Sequence, residues 1–161
     1  MKRVVATAAL VFLGFGSVAS ASPGHGNLDR SDVGRGAHPE GGTVTFQAGH
    51  ETVVYTFSLA AGATSGWHRH PGAVMVLVKS GNLTTYDLSR PPCSGQDITP
   101  GGAYFEKDAA TARWPHFVRN RGSVPVEAVV VAFDVPQGGS PRTEADAPTE
   151  CADPNRVDRV Q

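Results

Sequence analysis

Short β-type segments, separated by turns rich in glycine and proline, fill the chain between residues 43 and 135 and constrain its fold more than any other feature. Valine, threonine, phenylalanine and tyrosine dominate these segments, and such residues favour strands. No segment shows a hydrophobic period of 3.6 residues over the length of a helix. The sequence therefore predicts an all-β domain, a barrel or a sandwich. The predicted strands are TVTFQA (43–48), TVVYTFSL (52–59), AVMVLVKS (73–80), NLTTYDL (82–88), DIT (97–99), AYFE (103–106), HFVRN (116–120) and PVEAVVVAFDV (125–135).

Residues 1–21 have the layout of a secretory signal peptide. Two basic residues precede an apolar stretch, and Ala19-Ser20-Ala21 supplies the small residues of a cleavage site. A membrane anchor is the alternative, but glycines interrupt the apolar stretch, which is shorter than the ~20 residues of a spanning helix. We therefore expect cleavage after Ala21 and a secreted mature protein, periplasmic or extracellular, without a membrane segment.

Two segments that flank the β-rich region lack the apolar residues of a core. Residues 22–42 contain six glycines and only two aliphatic residues besides alanine. Such a composition cannot offset the entropy of ordering, so we predict a flexible leader. Residues 136–161 contain four prolines and no aromatic residue, and we predict a C-terminal tail. The domain itself is expected to span residues 43–135.

The charge balance argues against a polyanionic partner. Removal of residues 1–21 takes away two of the 14 basic side chains and none of the 15 acidic ones, which leaves a net charge of −3. Without a cluster of lysine and arginine, such a surface does not attract nucleic acid or anionic lipid. The expected partner is a small molecule.

Cys93 and Cys151 are the only cysteines of the chain. Export would place them in an oxidising compartment, so we predict a disulfide between them. On the chain-entropy argument such a bridge adds about 4 kcal/mol, and it would tether the tail to the domain. The alternatives are two free thiols, or Cys93 as a metal ligand or nucleophile, but no Cys-x-x-Cys pattern supports them.

Two histidines separated by one residue precede an apolar run. Because side chains alternate along a strand, His68 and His70 would share one face, about 7 Å apart. Imidazole nitrogens bind divalent transition metals, but two are rarely sufficient. His116, at the start of another predicted strand, is the candidate for a third ligand. A single histidine on a strand is more often simply packed and hydrogen-bonded, so the predicted metal site depends on all three together.

Two spaced motifs surround these histidines. The residues of the first are Gly62, His68, His70, Val74 and Gly81. The residues of the second are Pro100, Gly102, His116 and Asn120, with part of residues 106–115 as an insertion. In both motifs the chain resembles the cupin superfamily, over residues 43–135. The resemblance implies a double-stranded β-helix, or jelly roll, of the small, single-domain, exported type.

The first motif departs from the family at Val74, where cupins usually carry a glutamate ligand. The resemblance then implies a three-histidine site, as in some cupin dioxygenases, for one divalent ion of iron, manganese, zinc, nickel or copper. Glu106 and Asp108 are the carboxylates that would be in reach, and we expect both to be solvated rather than bound to the ion. Without a carboxylate, the ion would keep its full charge and favour an anionic ligand.

The resemblance implies a metal-dependent oxidoreductase of the dioxygenase type that acts on a small molecule. Two alternatives fit the same residues: a non-catalytic module that binds a small ligand or the metal, and a metal-free cupin whose histidines are polar core residues. A homodimer, common in the family, also stays open. Five strand residues would line the cavity or fill the core: Tyr55, Phe57, Trp67, Met75 and Phe117. The candidates for binding an anion are Arg69, Arg113 and Arg119, although alternation points Arg69 away from its histidine neighbours.

Overall fold

The structure is a computed structural model of the chain and describes residues 31–37, 41–86, 94–107 and 115–151. The predicted signal peptide lies outside the described residues, as do Cys93, Asp108 and Arg113. From Asp32 onward, the described residues belong to one compact unit. None of the helical structure within them has the length and apolar character needed to cross a membrane.

Regular structure in the described residues consists of nine strands and one short 3-10 helix, with no α-helix among them. The predicted all-β class is therefore confirmed. The strands are β1 (His50–Leu59), β2 (His68–Arg69), β3 (Val74–Ser80), β4 (Leu83–Tyr86), β5 (Gly95–Ile98), β6 (Ala103–Glu106), β7 (Phe117–Asn120), β8 (Val126–Pro136) and β9 (Thr143–Glu144). The 3-10 helix is Thr149–Cys151.

The strands form two larger antiparallel sheets with the connectivity of a jelly roll, and a third, two-stranded sheet of β2 and β9. One sheet has the order β1-β8-β3-β6, and the other has the order β5-β4-β7. β2 lies beside β7, because His68 and His116 form an antiparallel bridge with backbone hydrogen bonds of 2.9 and 3.0 Å. The first eight strands thus follow the orders 1-8-3-6 and 2-7-4-5, and most successive strands alternate between the sheets. This is the double-sheet arrangement of a jelly roll, as predicted.

The hydrophobic core lies between the two sheets. Along β3, Val74, Val76 and Val78 are buried and alternate with less buried neighbours, as expected for a strand with one face inward. Leu83 of the second sheet and Tyr104 of β6 belong to the same cluster. Full burial of one valine contributes roughly 1.5–3 kcal/mol, so the inward face of β3 is strongly fixed. The register of the neighbouring strands is fixed with it.

A glycine turn connects the histidine strand to β3. A Cβ atom on Gly72 would lie 1.9 Å from the carbonyl oxygen of Phe133 in β8. Only glycine permits this approach, in which the amide of Phe133 donates to the carbonyl of Ala73 over 2.9 Å. The turn therefore anchors the segment after His70 directly against β8.

Asn120, the asparagine of the second motif, fixes a turn. Its side-chain amide donates to the carbonyls of Leu59 and Val124, over 2.9 and 2.7 Å, and its oxygen accepts from the amide of Gly122 over 2.9 Å. The side chain is fully buried, so these bonds satisfy groups that water cannot reach. Its contribution is structural, and it sets the end of β7.

The prediction of a strand at residues 43–48 is wrong. The main-chain amide of Gln47 donates to Asp134 Oδ1 over 2.6 Å, and its side-chain amide donates to Oδ2 over 3.0 Å. Gly49 follows in the left-handed region, with a φ of 82°. The chain turns here, and the first strand starts only at His50.

Both flanking segments contact the domain through their backbone. In the predicted leader, Ala37 forms a bridge with Gly102, with hydrogen bonds to the carbonyl of Gly101 and from the amide of Ala103. In the predicted tail, β8 continues to Pro136 and β9 pairs with β2. Composition did not indicate these contacts, because backbone hydrogen bonds need no apolar side chain.

Candidate metal centre

The structure brings the three predicted histidines together. His68 lies in β2, His70 follows that strand by one residue, and His116 is paired with His68 across the bridge to β7. The centroids of the three rings are 4.9, 4.5 and 5.0 Å apart. All three residues are buried, with 4–6% of their surface exposed. The spacing of the first motif and the pairing of β2 with β7 are the two causes of this convergence.

Glu106 completes the cluster, and the expectation that it is a solvated residue is wrong. It ends β6 on the opposite sheet and is only 7% exposed. Its Oε2 atom lies 2.9 Å from His70 Nε2, and its Oε1 atom lies 3.2 Å from His116 Nε2. The four side chains offer donor atoms that lie within 4.8 Å of one another.

The position of Glu106 explains the valine in the first motif. Val74 and Glu106 are direct partners in the antiparallel register of β3 and β6. Side chains of directly opposite residues project from the same face, with Cβ atoms about 4.5–5.5 Å apart. The chain therefore carries, on the neighbouring strand, a carboxylate at nearly the place where the motif would supply one.

The arrangement of the donor atoms suits coordination of a metal ion better than hydrogen bonds among the four side chains. The Nε2 atoms of His70 and His116 are buried and have no hydrogen-bond partner by geometry, although a carboxylate oxygen lies close to each. Unsatisfied buried polar atoms are costly and therefore rare. Two donor atoms that bind the same ion, each about 2.0–2.2 Å from it, lie about as close to each other as these atoms do, without a hydrogen bond between them. An ion coordinated by both nitrogens would satisfy them.

Backbone carbonyls contact the Nδ1 atoms of two of the rings, on the side that faces away from the cluster. His68 Nδ1 lies 2.8 Å from the carbonyl oxygen of Gly66, and His70 Nδ1 lies 2.6 Å from that of Pro141. A carbonyl oxygen only accepts, so each Nδ1 carries the hydrogen and donates it. This leaves the Nε2 lone pairs for the interior of the cluster, the arrangement usual for histidine ligands of metals.

The ionisation of the cluster also suits a cation. Burial, together with repulsion from His116, lowers the pKa of His68 to about 4, so this ring is neutral at neutral pH. Burial would by itself raise the pKa of Glu106, but attraction by His116 and contacts with His116 and His70 hold it well below its usual value. Burial would likewise lower the pKa of His70, yet the Glu106 carboxylate raises it. The cluster thus supplies one carboxylate and at least one neutral imidazole.

Tyr104 supports the carboxylate from the same strand. It lies two residues before Glu106, so both side chains project from the same face, and its hydroxyl donates to Glu106 Oε1 over 2.7 Å. Burial, and then the negative charge of Glu106, hold the pKa of Tyr104 well above its usual value. The phenol therefore keeps its proton and remains a donor.

The predicted cavity residues divide into two groups. Trp67 and Phe117 form an aromatic cluster with Tyr86, with ring centroids of Phe117 at 4.5 Å from Trp67 and 4.4 Å from Tyr86. Cys151 is buried in this cluster, but its predicted partner lies outside the described residues, so the disulfide remains a prediction. The other group packs on the main core: Tyr55 and Phe57 are partly buried against it.

Three further candidates among the described residues project away from the site. Met75 lies between the buried Val74 and Val76 and is less buried than either, so it projects from the other face of β3. Arg69 and Arg119 are partly exposed and also alternate with buried neighbours. Alternation thus places all three away from the interior, as predicted for Arg69.

No protein-family model and no curated protein sequence matches the chain. Its structure is similar to that of the DMSP lyase DddQ from Ruegeria pomeroyi DSS-3, with 17% identity, coverage of 61% of this chain and 44% of the lyase, and a TM-score of 0.48. An uncharacterized protein with a double-stranded beta-helix domain from Klebsiella pneumoniae is 19% identical to the chain. The similarity covers 73% of this chain and 90% of that protein, with a TM-score of 0.46. A sugar phosphate isomerase from a cupin superfamily, from Silicibacter pomeroyi, is 24% identical to the chain. The similarity covers 50% of this chain and 48% of the isomerase, with a TM-score of 0.42.

Cupin-superfamily proteins, the family predicted from the two motifs, are thus among the solved structures to which the chain is similar. The chain spans less than half the length of the DMSP lyase. At these identities and TM-scores the similarity transfers no activity.

Proposed function

We propose that this chain is an exported cupin that binds one divalent transition metal through His68, His70, His116 and Glu106. The observation that carries the proposal is the pair of buried Nε2 atoms, on His70 and His116, that face a carboxylate without a hydrogen-bond partner. Three imidazoles and one carboxylate suit iron, manganese, zinc, nickel or copper, since these ions accept nitrogen and oxygen ligands.

The carboxylate changes the expected electrostatics of the site. A site of three neutral histidines would leave a charge of 2+ on the ion, whereas Glu106 reduces the charge of the whole centre to 1+. An anionic small molecule remains the favoured ligand, but its attraction to the centre is weaker than a three-histidine site predicts.

The proposed activity is that of an oxidoreductase of the dioxygenase type on a small molecule. A bound metal with positions left for substrate and oxygen supplies Lewis-acid or redox chemistry. The chain itself contributes Glu106 as a ligand and Tyr104 as the donor that holds Glu106 Oε1. The buried surroundings keep bulk water from the ligands.

Metal or ligand capture without catalysis is the second candidate function. The observation that favours it is the burial of all four donors, each less than 8% exposed. Closed coordination is typical of structural metal sites, while catalytic sites keep an open position.

Elemental analysis of the purified mature protein tests the proposed function. We expect about one equivalent of metal per chain in the wild type and loss of the metal in His116→Ala. Oxygen uptake by the loaded protein with a panel of small enols, catechols and thiols then separates the two candidates. Metal that stays bound to His68→Ala, His70→Ala and His116→Ala alike would rule out this site.

Metal release should follow the protonation of His70. Burial alone would lower the pKa of this ring, but Glu106 raises it, so a proton competes with the ion for the Nε2 atom more strongly than at an ordinary histidine, and metal affinity decreases as the pH falls. His68, with a pKa of about 4, stays neutral over the same range. Dialysis at decreasing pH, followed by metal analysis, should show loss between about pH 7 and pH 5. Full retention at about pH 4 would contradict this ligand set.

Export, the Cys93–Cys151 disulfide and a homodimer belong to the same proposal. The signal-like segment 1–21 supports export, and the pair of cysteines supports the disulfide, whereas the homodimer rests on the resemblance to cupins alone. Mass spectrometry of the secreted protein tests cleavage after Ala21 and the oxidation state of the cysteines together.

A further inference from the structure

A short C-terminal segment covers the strand that carries the first histidine. We call residues 140–145 the strap. Within it, β9 pairs with β2 in the register that sets Glu144 opposite His68. The amide of Ala145 donates to the carbonyl of Trp67 over 3.0 Å. β2 thus has β7 on one side and the strap on the other, so it has no free edge.

The strap also contacts a proposed ligand directly. The carbonyl oxygen of Pro141 accepts the hydrogen of His70 Nδ1 over 2.6 Å, across 71 residues of sequence. His70 is buried and the contact with Pro141 is partly buried, so loss of the carbonyl would leave a largely desolvated N–H group without its partner. A proton fixed on Nδ1 leaves Nε2 as the atom with the free lone pair.

Further contacts hold this carbonyl in place. The Arg142 guanidinium donates to the carbonyl of Ser65, just before β2, and pairs with Glu144 over 2.8 and 2.9 Å. The Ser140 hydroxyl donates to the Arg142 carbonyl over 2.6 Å. Arg142 therefore ties the strap to the segment before β2, and the bond between Ser140 and Arg142 fixes the turn around Pro141.

We propose that the strap is a positioning element of the metal centre, which fixes the tautomer and orientation of His70 through the Pro141 carbonyl. This inference rests on the proposed metal binding, and it adds a second requirement for it. Partners of the non-coordinating nitrogen commonly change metal affinity by about 10–100-fold when they are removed. The strap should contribute in that range although it supplies no ligand.

The first test measures the tautomer of His70 without any metal. In the metal-free protein at about pH 8, long-range ¹⁵N NMR should show a proton on His70 Nδ1 in all molecules. A chain that ends at Ser140 lacks the carbonyl and should show a mixture of both tautomers. Because the truncation removes Cys151, the truncated chain also carries Cys93→Ser. It is compared with the full-length Cys93→Ser, Cys151→Ser protein, so that neither protein contains a cysteine.

The second test keeps the whole chain. Ala145→Pro removes the amide that donates to Trp67, and Ala147→Pro makes the same change at an exposed position beyond β9. Competition with a chelator should show Zn²⁺ bound about 10–100-fold more weakly by Ala145→Pro, and with wild-type affinity by Ala147→Pro.

The outcomes separate this inference from the proposed function. A wild-type protein that binds no metal contradicts the proposed function, while the NMR comparison still tests the strap. Unchanged His70 tautomer in the truncated chain overturns the strap as a positioning element. Wild-type Zn²⁺ affinity in Ala145→Pro overturns it as well.

Discussion

Replacement of Glu106 by valine is expected to weaken metal binding by at least about 100-fold, because even indirect supports of a ligand contribute about 10–100-fold. The variant removes the only carboxylate of the cluster and leaves three imidazoles. It also leaves the Tyr104 hydroxyl without its acceptor. Chelator competition with Zn²⁺ measures the effect, and Glu127→Val, at an exposed glutamate of β8, is the control for the loss of one negative charge.

The strand register provides a rescue for this variant. Because Val74 and Glu106 are directly opposite, the double variant Val74→Glu, Glu106→Val returns a carboxylate to the same face from β3. We expect it to recover most of the lost affinity, while Val74→Glu alone adds a second buried carboxylate and destabilises the fold. Wild-type affinity in Glu106→Val would instead show that three histidines suffice, as the sequence alone indicated.

Removal of the metal is expected to lower the melting temperature by about 10–20 °C. A ligand that binds only the folded state at 1,000 times its Kd stabilises that state by about 4 kcal/mol. For a domain of this size, each kcal/mol corresponds to several degrees. The ion should also satisfy the buried Nε2 atoms of His70 and His116, which are costly without it.

Differential scanning calorimetry with and without a chelator measures this effect, and added metal should restore the higher transition. His68→Ala serves as the control, because a chain that binds no metal should melt at the same temperature with and without chelator. Equal melting temperatures for the metal-loaded and the chelated wild type would argue against a tightly held ion.

The sequence predicts the strands of four or more residues in this fold but not the two-residue strands. An alternating pattern needs several residues, which β3 and β8 supply and the two residues of β2 or β9 do not. The segment 43–48 has strand composition, but Gln47 bonds to Asp134, 87 residues away, and no local pattern contains that contact. Non-local hydrogen bonds thus account for both kinds of error.

The same limit applies to the site. The motif spacing brings His68 and His70 to one face, and the second motif supplies His116. Glu106 looked like a residue at the end of a strand, because its burial depends on the pairing of β6 with β3. The sequence did show that Tyr104 and Glu106, two residues apart, share one face of a strand. This spacing points to the site only once the pairing of β6 with β3 is known.

Under the proposed function, the placement of the strap determines when an ion can be bound during biosynthesis. The histidine strand finds its two neighbours far downstream, at His116 and at Glu144, so a partly synthesised chain lacks the complete pocket. Contacts between such distant segments are slow to form, because the long loop between them must close first. Under the proposed metal binding and export, the identity of the ion would therefore be decided in the compartment where the strap docks, by the metals that are available there.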